Sequence, residues 1–159
     1  TVSTGEANTA LSRRRAIAGA VSALMLPSMA WSVETAAPPD VSSTLAGFVD
    51  TLLPADDLSP AASALGVHDE IFRFADEVAG LADFLRGAAV WLNATGDVPF
   101  QALPERDRVR VVEWMSQSDK SEAPYRLFEV VRMLAVEFYY AHPEAIAGFP
   151  LNEAPQPQG

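Results

Sequence analysis

The 159-residue chain contains no cysteine. That absence removes disulfides, thiolate zinc sites, iron–sulfur clusters and cysteine nucleophiles together. A protein of this composition must draw its stability from packing or from a partner. Histidine is almost as scarce, with only His68 and His142. His68 stands beside Asp69 and Glu70 where a helical pattern begins, and His142 precedes Pro143 where one ends. Both read as cap or surface residues, and His142 suits a helix C-terminus. No Glu-x-x-His pair occurs, and Glu137 and His142, five apart, fall on different helix faces, which argues against a di-iron bundle. Gly80, Gly87 and Gly96 are isolated, so there is no phosphate-cradling glycine loop. The acidic residues fall mostly on polar helix faces, where solvation accounts for them. By itself the chain offers no catalytic, cofactor-binding or metal-binding residue.

Positive charge is also in short supply. Eleven lysines and arginines face 21 acids, for a net charge of −10. Residues 1–31 hold three of the cations and one acid, Glu6, so the remainder carries −12. Such a surface repels nucleic acid and anionic lipid headgroups, which excludes a nucleic-acid partner. Long apolar runs are missing too. The longest spans residues 16–31 and is interrupted by Ser22, Pro27 and Ser28. A membrane-spanning helix needs about 20 mostly apolar residues.

What is present begins with Arg13-Arg14-Arg15, set directly before that short apolar run. A polar lead, a tight basic cluster, a modest apolar stretch and a small-residue exit make an export signal, and paired arginines point to the twin-arginine route. Arg13 and Arg14 form the pair, with Arg15 an alternative second member. Ser28-Met29-Ala30 and Thr35-Ala36-Ala37 both offer cleavage exits. A short buried helix and a retained interfacial anchor are the competing readings of the segment. The twin-arginine route carries proteins already folded, often around a cofactor, yet the rest of this chain has almost nothing to hold one.

The sequence divides into a signal at 1–31, a small-residue, proline-bearing linker at 32–41, a helical domain at 42–147 and an extended proline-rich tail at 148–159. After a Ser42-Ser43-Thr44 cap, Leu45, Phe48, Val49 and Leu52 keep helical spacing as far as Leu53, and Pro54 stops the run. A turn carries the chain to Pro60, at the first position of a short helix ending near Gly66. Helices are expected over 67–79 and 81–93, with Gly80 breaking or bending the pair. Others are expected from Pro104 to about Gln117 and over 124–141. No alternating strand pattern and no internal repeat occur. The expectation is an all-α fold, a small irregular bundle of about five to six helices. Trp91 and Trp114 read as core residues.

Phe138-Tyr139-Tyr140 ends the longest helical pattern, and Phe149-Pro150 follows after a short turn. Successive helical residues point about 100° apart, so three adjacent aromatics cannot all face one core. Either the tail folds back over those left outside, or they present a docking surface to a larger chain, since aromatics favour interface centres. Phe138, Tyr139, Tyr140, Phe149 and Pro150 are the candidate docking residues.

Four features together resemble the gluconate 2-dehydrogenase subunit 3 family, the small subunits of flavin-dependent membrane dehydrogenases. They are the arginine-led signal, Phe48-Val49-Asp50-Thr51-Leu52-Leu53-Pro54, Ala64-Leu65-Gly66-Val67-His68-Asp69-Glu70-Ile71, and the ending. In that ending, Phe138-Tyr139-Tyr140-Ala141-His142-Pro143 and then Gly148-Phe149-Pro150 look like the family's aromatic pair and Gly-Tyr-Pro. Phe149 stands where tyrosine is common. The resemblance implies a non-catalytic subunit with no cofactor of its own. It would pair with a large FAD-binding subunit of the glucose–methanol–choline type, often beside a multihaem cytochrome c carrying haem c, in a sugar or alcohol dehydrogenase. The large subunit would lack a signal and leave through the twin-arginine translocase on this chain's, reaching the periplasm and associating with the cytoplasmic membrane through the complex. The competing functional reading is an independent periplasmic helical binding protein.

Overall fold

Asp40 opens the first helix of the computed structural model, which describes residues 40–149. Helix α1 (Val41–Leu52) is capped by the Asp40 carboxylate, which accepts the Ser43 backbone N–H at 3.2 Å and the Ser43 hydroxyl. The expected Ser42–Thr44 hydroxyls lie inside the first turn instead. Asp40, in extended backbone, supplies an acceptor just before that turn and takes the capping role.

Those bonds, the Ser43 hydroxyl first, hold the Asp40 carboxyl below its ordinary value. Asp119 is lowered in the same way by the Ser121 hydroxyl and backbone N–H. Because folding depresses these values, the stability they contribute is present above about pH 4 and is lost as pH falls through the folded-state values. Asp40→Asn is expected to flatten the acid limb of the thermal-midpoint curve below about pH 4, relative to wild type. A curve parallel to wild type would remove Asp40 from the acid response.

Helix α1 ends before Pro54, which disfavours helical backbone at the residue preceding it. From the far turn of α1, Asp50 reaches across the loop and accepts the Ser63 N–H at 2.7 Å and hydroxyl at 2.6 Å. This caps a 3-10 turn, Ala62–Leu65, from another element. Gly66, at φ 75°, adopts the left-handed conformation that lets this turn reverse into α2 (Val67–Ala75). Helix α2 stops four residues before the expected 79, because the chain turns at 76–80 and leaves through Gly80 at φ 79°. Gly80 therefore breaks the pair, and α3 (Leu81–Ala94) starts afresh.

A second 3-10 turn, Phe100–Ala102, precedes α4 (Glu105–Gln117) and α5 (Ala123–Tyr139). Helix α6 (Pro143–Ile146), unanticipated from periodicity, is a single turn begun by Pro143 and buried through Ala145. The described residues are all-α, with no strand among them. None of their helices is long and apolar enough to cross a membrane.

Helix α1 lies at the centre, against α2, α3, α4, α5 and both 3-10 turns. Its Phe48 and Val49 are fully buried and meet Ile71, Leu81, Phe100, Met115 and Leu134 in one core. A polar clamp crosses this apolar packing. Asn93 on α3 donates to the Thr44 hydroxyl at 2.8 Å and accepts the Phe100 N–H at 2.8 Å, tying α1, α3 and the second 3-10 turn together.

Trp91 packs part-buried against the core, but Trp114 departs from expectation. Trp91 and Trp114 stack, with centroids 6.3 Å apart and planes 27° apart, but Trp114 is 52% exposed. On α4 the inward positions are Val112 and Met115. Trp114 is rotated about 100° from Met115 and leaves the core.

Candidate partner-docking face

The three aromatics that end α5 separate as helical geometry requires. Tyr139 is buried, and its hydroxyl donates to the Pro60 carbonyl at 2.7 Å. It pins the end of α5 to the loop at 54–60 and belongs to the core, so a docking role for its ring is not compatible with its position. Phe138 packs edge-on against Phe74 of α2 at 5.8 Å and is half-buried. Tyr140 lies T-shaped against Tyr139 at 5.1 Å and is half exposed. Phe149 is also exposed, hydrogen-bonded through its backbone N–H to the Ile146 carbonyl at 3.1 Å. Pro150 and Arg13, Arg14 and Arg15 lie outside the described residues.

Two side chains that the sequence did not single out join this end. Leu58 and Ile146 are both exposed. Leu58 could have been suspected, because Asp56-Asp57-Leu58-Ser59-Pro60 places a large apolar residue in a polar turn with no helical stripe to join. The turn is built by Asp56, which accepts the Leu58 and Ser59 N–H groups at 2.8 and 2.7 Å and the Ser59 hydroxyl at 2.9 Å. These bonds, led by the Leu58 N–H, hold the Asp56 carboxyl below its ordinary value. Gly148 seats the C-terminal segment on this turn. A Cβ there would meet the Leu58 carbonyl oxygen and lie 2.8 and 2.9 Å from the Leu58 Cβ and Cα.

Beside this end lies a cleft of about 150 Å³ lined by Glu70, Arg73, Phe74, Glu77 and Phe138. The Nε2 of His142 approaches Oε1 of Glu70 at 3.0 Å, but off the N–H axis, which makes an electrostatic contact rather than an aligned hydrogen bond. His142 is thus more than a helix-end residue: it draws the start of α6 onto α2. His68 stays on its own helix, with Nε2 3.7 Å from Asp69 Oδ1. No group of three or more metal-ligating side chains occurs among the described residues.

No curated protein matches the chain, and no solved structure matches it. The family model for gluconate 2-dehydrogenase subunit 3 matches residues 39–152, well over half of the sequence, and the chain belongs to that family of accessory dehydrogenase-complex subunits.

Proposed function

We propose that this chain is the non-catalytic small subunit of a periplasmic, FAD-dependent sugar or alcohol dehydrogenase of the glucose–methanol–choline type. It matures and stabilises the large flavin-binding subunit and takes it out of the cytoplasm by the twin-arginine route. The observation that carries this reading is a match to an accessory-subunit family over 39–152, joined to the Arg13-Arg14-Arg15 export pattern. The FAD belongs to the large subunit, and any haem c to a cytochrome subunit held at the membrane. The exposed aromatic end, Tyr140 and Phe149 with the edge of Phe138, supports docking onto the flavin subunit. Tyr139 serves that face from beneath by fixing the end of α5 to Pro60.

Co-expression of the large subunit with a small subunit bearing Arg13→Lys, Arg14→Lys and Arg15→Lys tests the export step. Lysine keeps the charge but loses the planar guanidinium, so periplasmic dehydrogenase activity is expected to fall by about tenfold or more, with flavoprotein accumulating in the cytoplasm. Normal periplasmic activity in that strain would overturn the export role.

A further inference from the structure

We infer that the loop at 54–60 is the second half of the docking face, and that the partner protein meeting it has an apolar centre ringed by lysine and arginine. This rests on the reading of the chain as a subunit bound to a flavin-carrying partner.

A single exposed leucine is ordinary on a protein surface. Leu58 is not single. Among the described residues, five of the seven exposed large apolar side chains are Leu58, Val136, Tyr140, Ile146 and Phe149. They lie on the loop and on the segment from the last turns of α5 to Phe149. Two contacts lock these pieces together: the Tyr139 hydroxyl on the Pro60 carbonyl, and the Gly148 backbone seated against Leu58. The loop is preorganised by the three bonds to the Asp56 carboxylate, so holding Leu58 outward costs no ordering on association. Gly148 is the positioning residue. With any side chain there, the segment carrying Phe149 must lift off the loop.

Charge selects the occupant. Residues 40–72 and 133–149 carry eight carboxylates and no lysine or arginine. The two cations that flank these segments, Arg73 and Arg132, are ion-paired with Glu70 at 3.9 Å and with Glu129 at 3.2 Å. The remaining cations of the described chain lie between 86 and 132. An anionic lipid surface is repelled by such a face. A second copy of this chain would set carboxylates against carboxylates across a twofold axis. A different protein with a basic rim gains both apolar burial and complementary potential.

The test uses the full chain, affinity-tagged and isolated with its complex from native membranes. Binding is read as flavin absorbance retained per small subunit over a series of NaCl concentrations. Asp57→Lys with Glu144→Lys reverses two exposed charges without breaking the Asp56 turn, and Leu58→Ser removes the apolar centre. Each is expected to weaken retention about tenfold, the charge-reversal deficit narrowing as salt screens it and the Leu58→Ser deficit persisting. Glu105→Lys with Glu113→Lys on α4 is the matched control and is expected to retain flavoprotein as wild type does. Circular dichroism and thermal midpoints verify that every variant folds. If wild type itself retains no flavoprotein, the subunit reading fails. If it does and the loop variants match the control, the face is overturned. Wild-type binding to phosphatidylserine vesicles, or a dimer in solution, that is lost in Leu58→Ser would likewise overturn the assignment to a basic partner protein.

Discussion

Truncating Phe48 to alanine is expected to remove about 3–5 kcal/mol of folding stability, the range for a large aromatic lost from a packed core. Phe48 is 2% exposed, sits on the helix that meets all four other long helices, and holds the Phe100 ring at 5.7 Å. It also lines a small apolar recess of about 20 Å³ with Leu45, Leu85, Leu92 and Val131. Removal of the ring would merge its volume with that recess, and helices anchored on several sides cannot close in to fill it. Domains of this size have a net stability of about 5–15 kcal/mol, so the loss is more than half of the total at the lower end. Urea unfolding followed by circular dichroism checks it. With an m-value of about 1.5–2 kcal/mol/M, the midpoint falls by about 1.5–3 M. Phe48→Leu, which keeps most of the volume, is expected to cost under about 1.5 kcal/mol. A Phe48→Ala cost near that of Phe48→Leu would show that α1 is not the centre of the core.

The importance of α1 was legible in part. Its period-matched Leu45, Phe48 and Val49 all point inward, and Pro54, Gly66 and Gly80 mark real interruptions. These are local signals, fixed by backbone sterics and by which side of a helix is apolar. What stayed hidden depends on partners far away in sequence. Nothing near Asp50 indicates that it caps a turn thirteen residues later, and nothing near His142 indicates Glu70. The Phe-Tyr-Tyr triplet shows the same boundary. Helical geometry requires that its members diverge, but only the position of Pro60 determines that Tyr139 is the one that turns in. On α4, a dense apolar pattern left the inward direction ambiguous, and Trp114 fell outside it. Arg13, Arg14, Arg15 and Pro150, which carry much of the proposed function, lie outside the described residues.

The proposed docking face and the core meet in residues that serve both. Tyr139 closes the core at the end of α5 and, through Pro60, fixes the loop that displays Leu58. Gly148 contributes no side chain to either, yet its missing Cβ sets how closely the aromatic ending lies on that loop. An accessory subunit needs such an arrangement. A small acidic domain without disulfides has a modest margin of stability, and a rigid face lets the partner's binding energy add to it. Partner and fold would then stabilise each other by mass action, as the proposed role beside a flavin subunit requires.

Replacing Asn93 by leucine is expected to cost about 1–3 kcal/mol although it adds an apolar side chain to an apolar neighbourhood, because it strands the buried Phe100 N–H and takes one partner from the Thr44 hydroxyl, which keeps the Asp40 carbonyl and the Gln101 side chain. The backbone N–H of Phe100 can only donate, so the 2.8 Å contact fixes the Asn93 carbonyl oxygen toward it. The amide nitrogen must then face Thr44, whose hydroxyl accepts it at 2.8 Å. Phe100 and Thr44 are both 1% exposed, so water cannot readily substitute. Asn93→Leu removes an acceptor from the first and a donor from the second. Thr44→Val alone strands the Asn93 amide instead. The double variant Asn93→Leu with Thr44→Val eliminates the hydroxyl and the amide together, leaving the Phe100 N–H stranded and Gln101 without its Thr44 donor, and is expected to be about 1 kcal/mol more stable than the sum of the single losses. Urea midpoints of the four proteins close the cycle. A coupling of zero would mean that the amide and hydroxyl do not depend on one another, and that their contact does not help join α1 to α3.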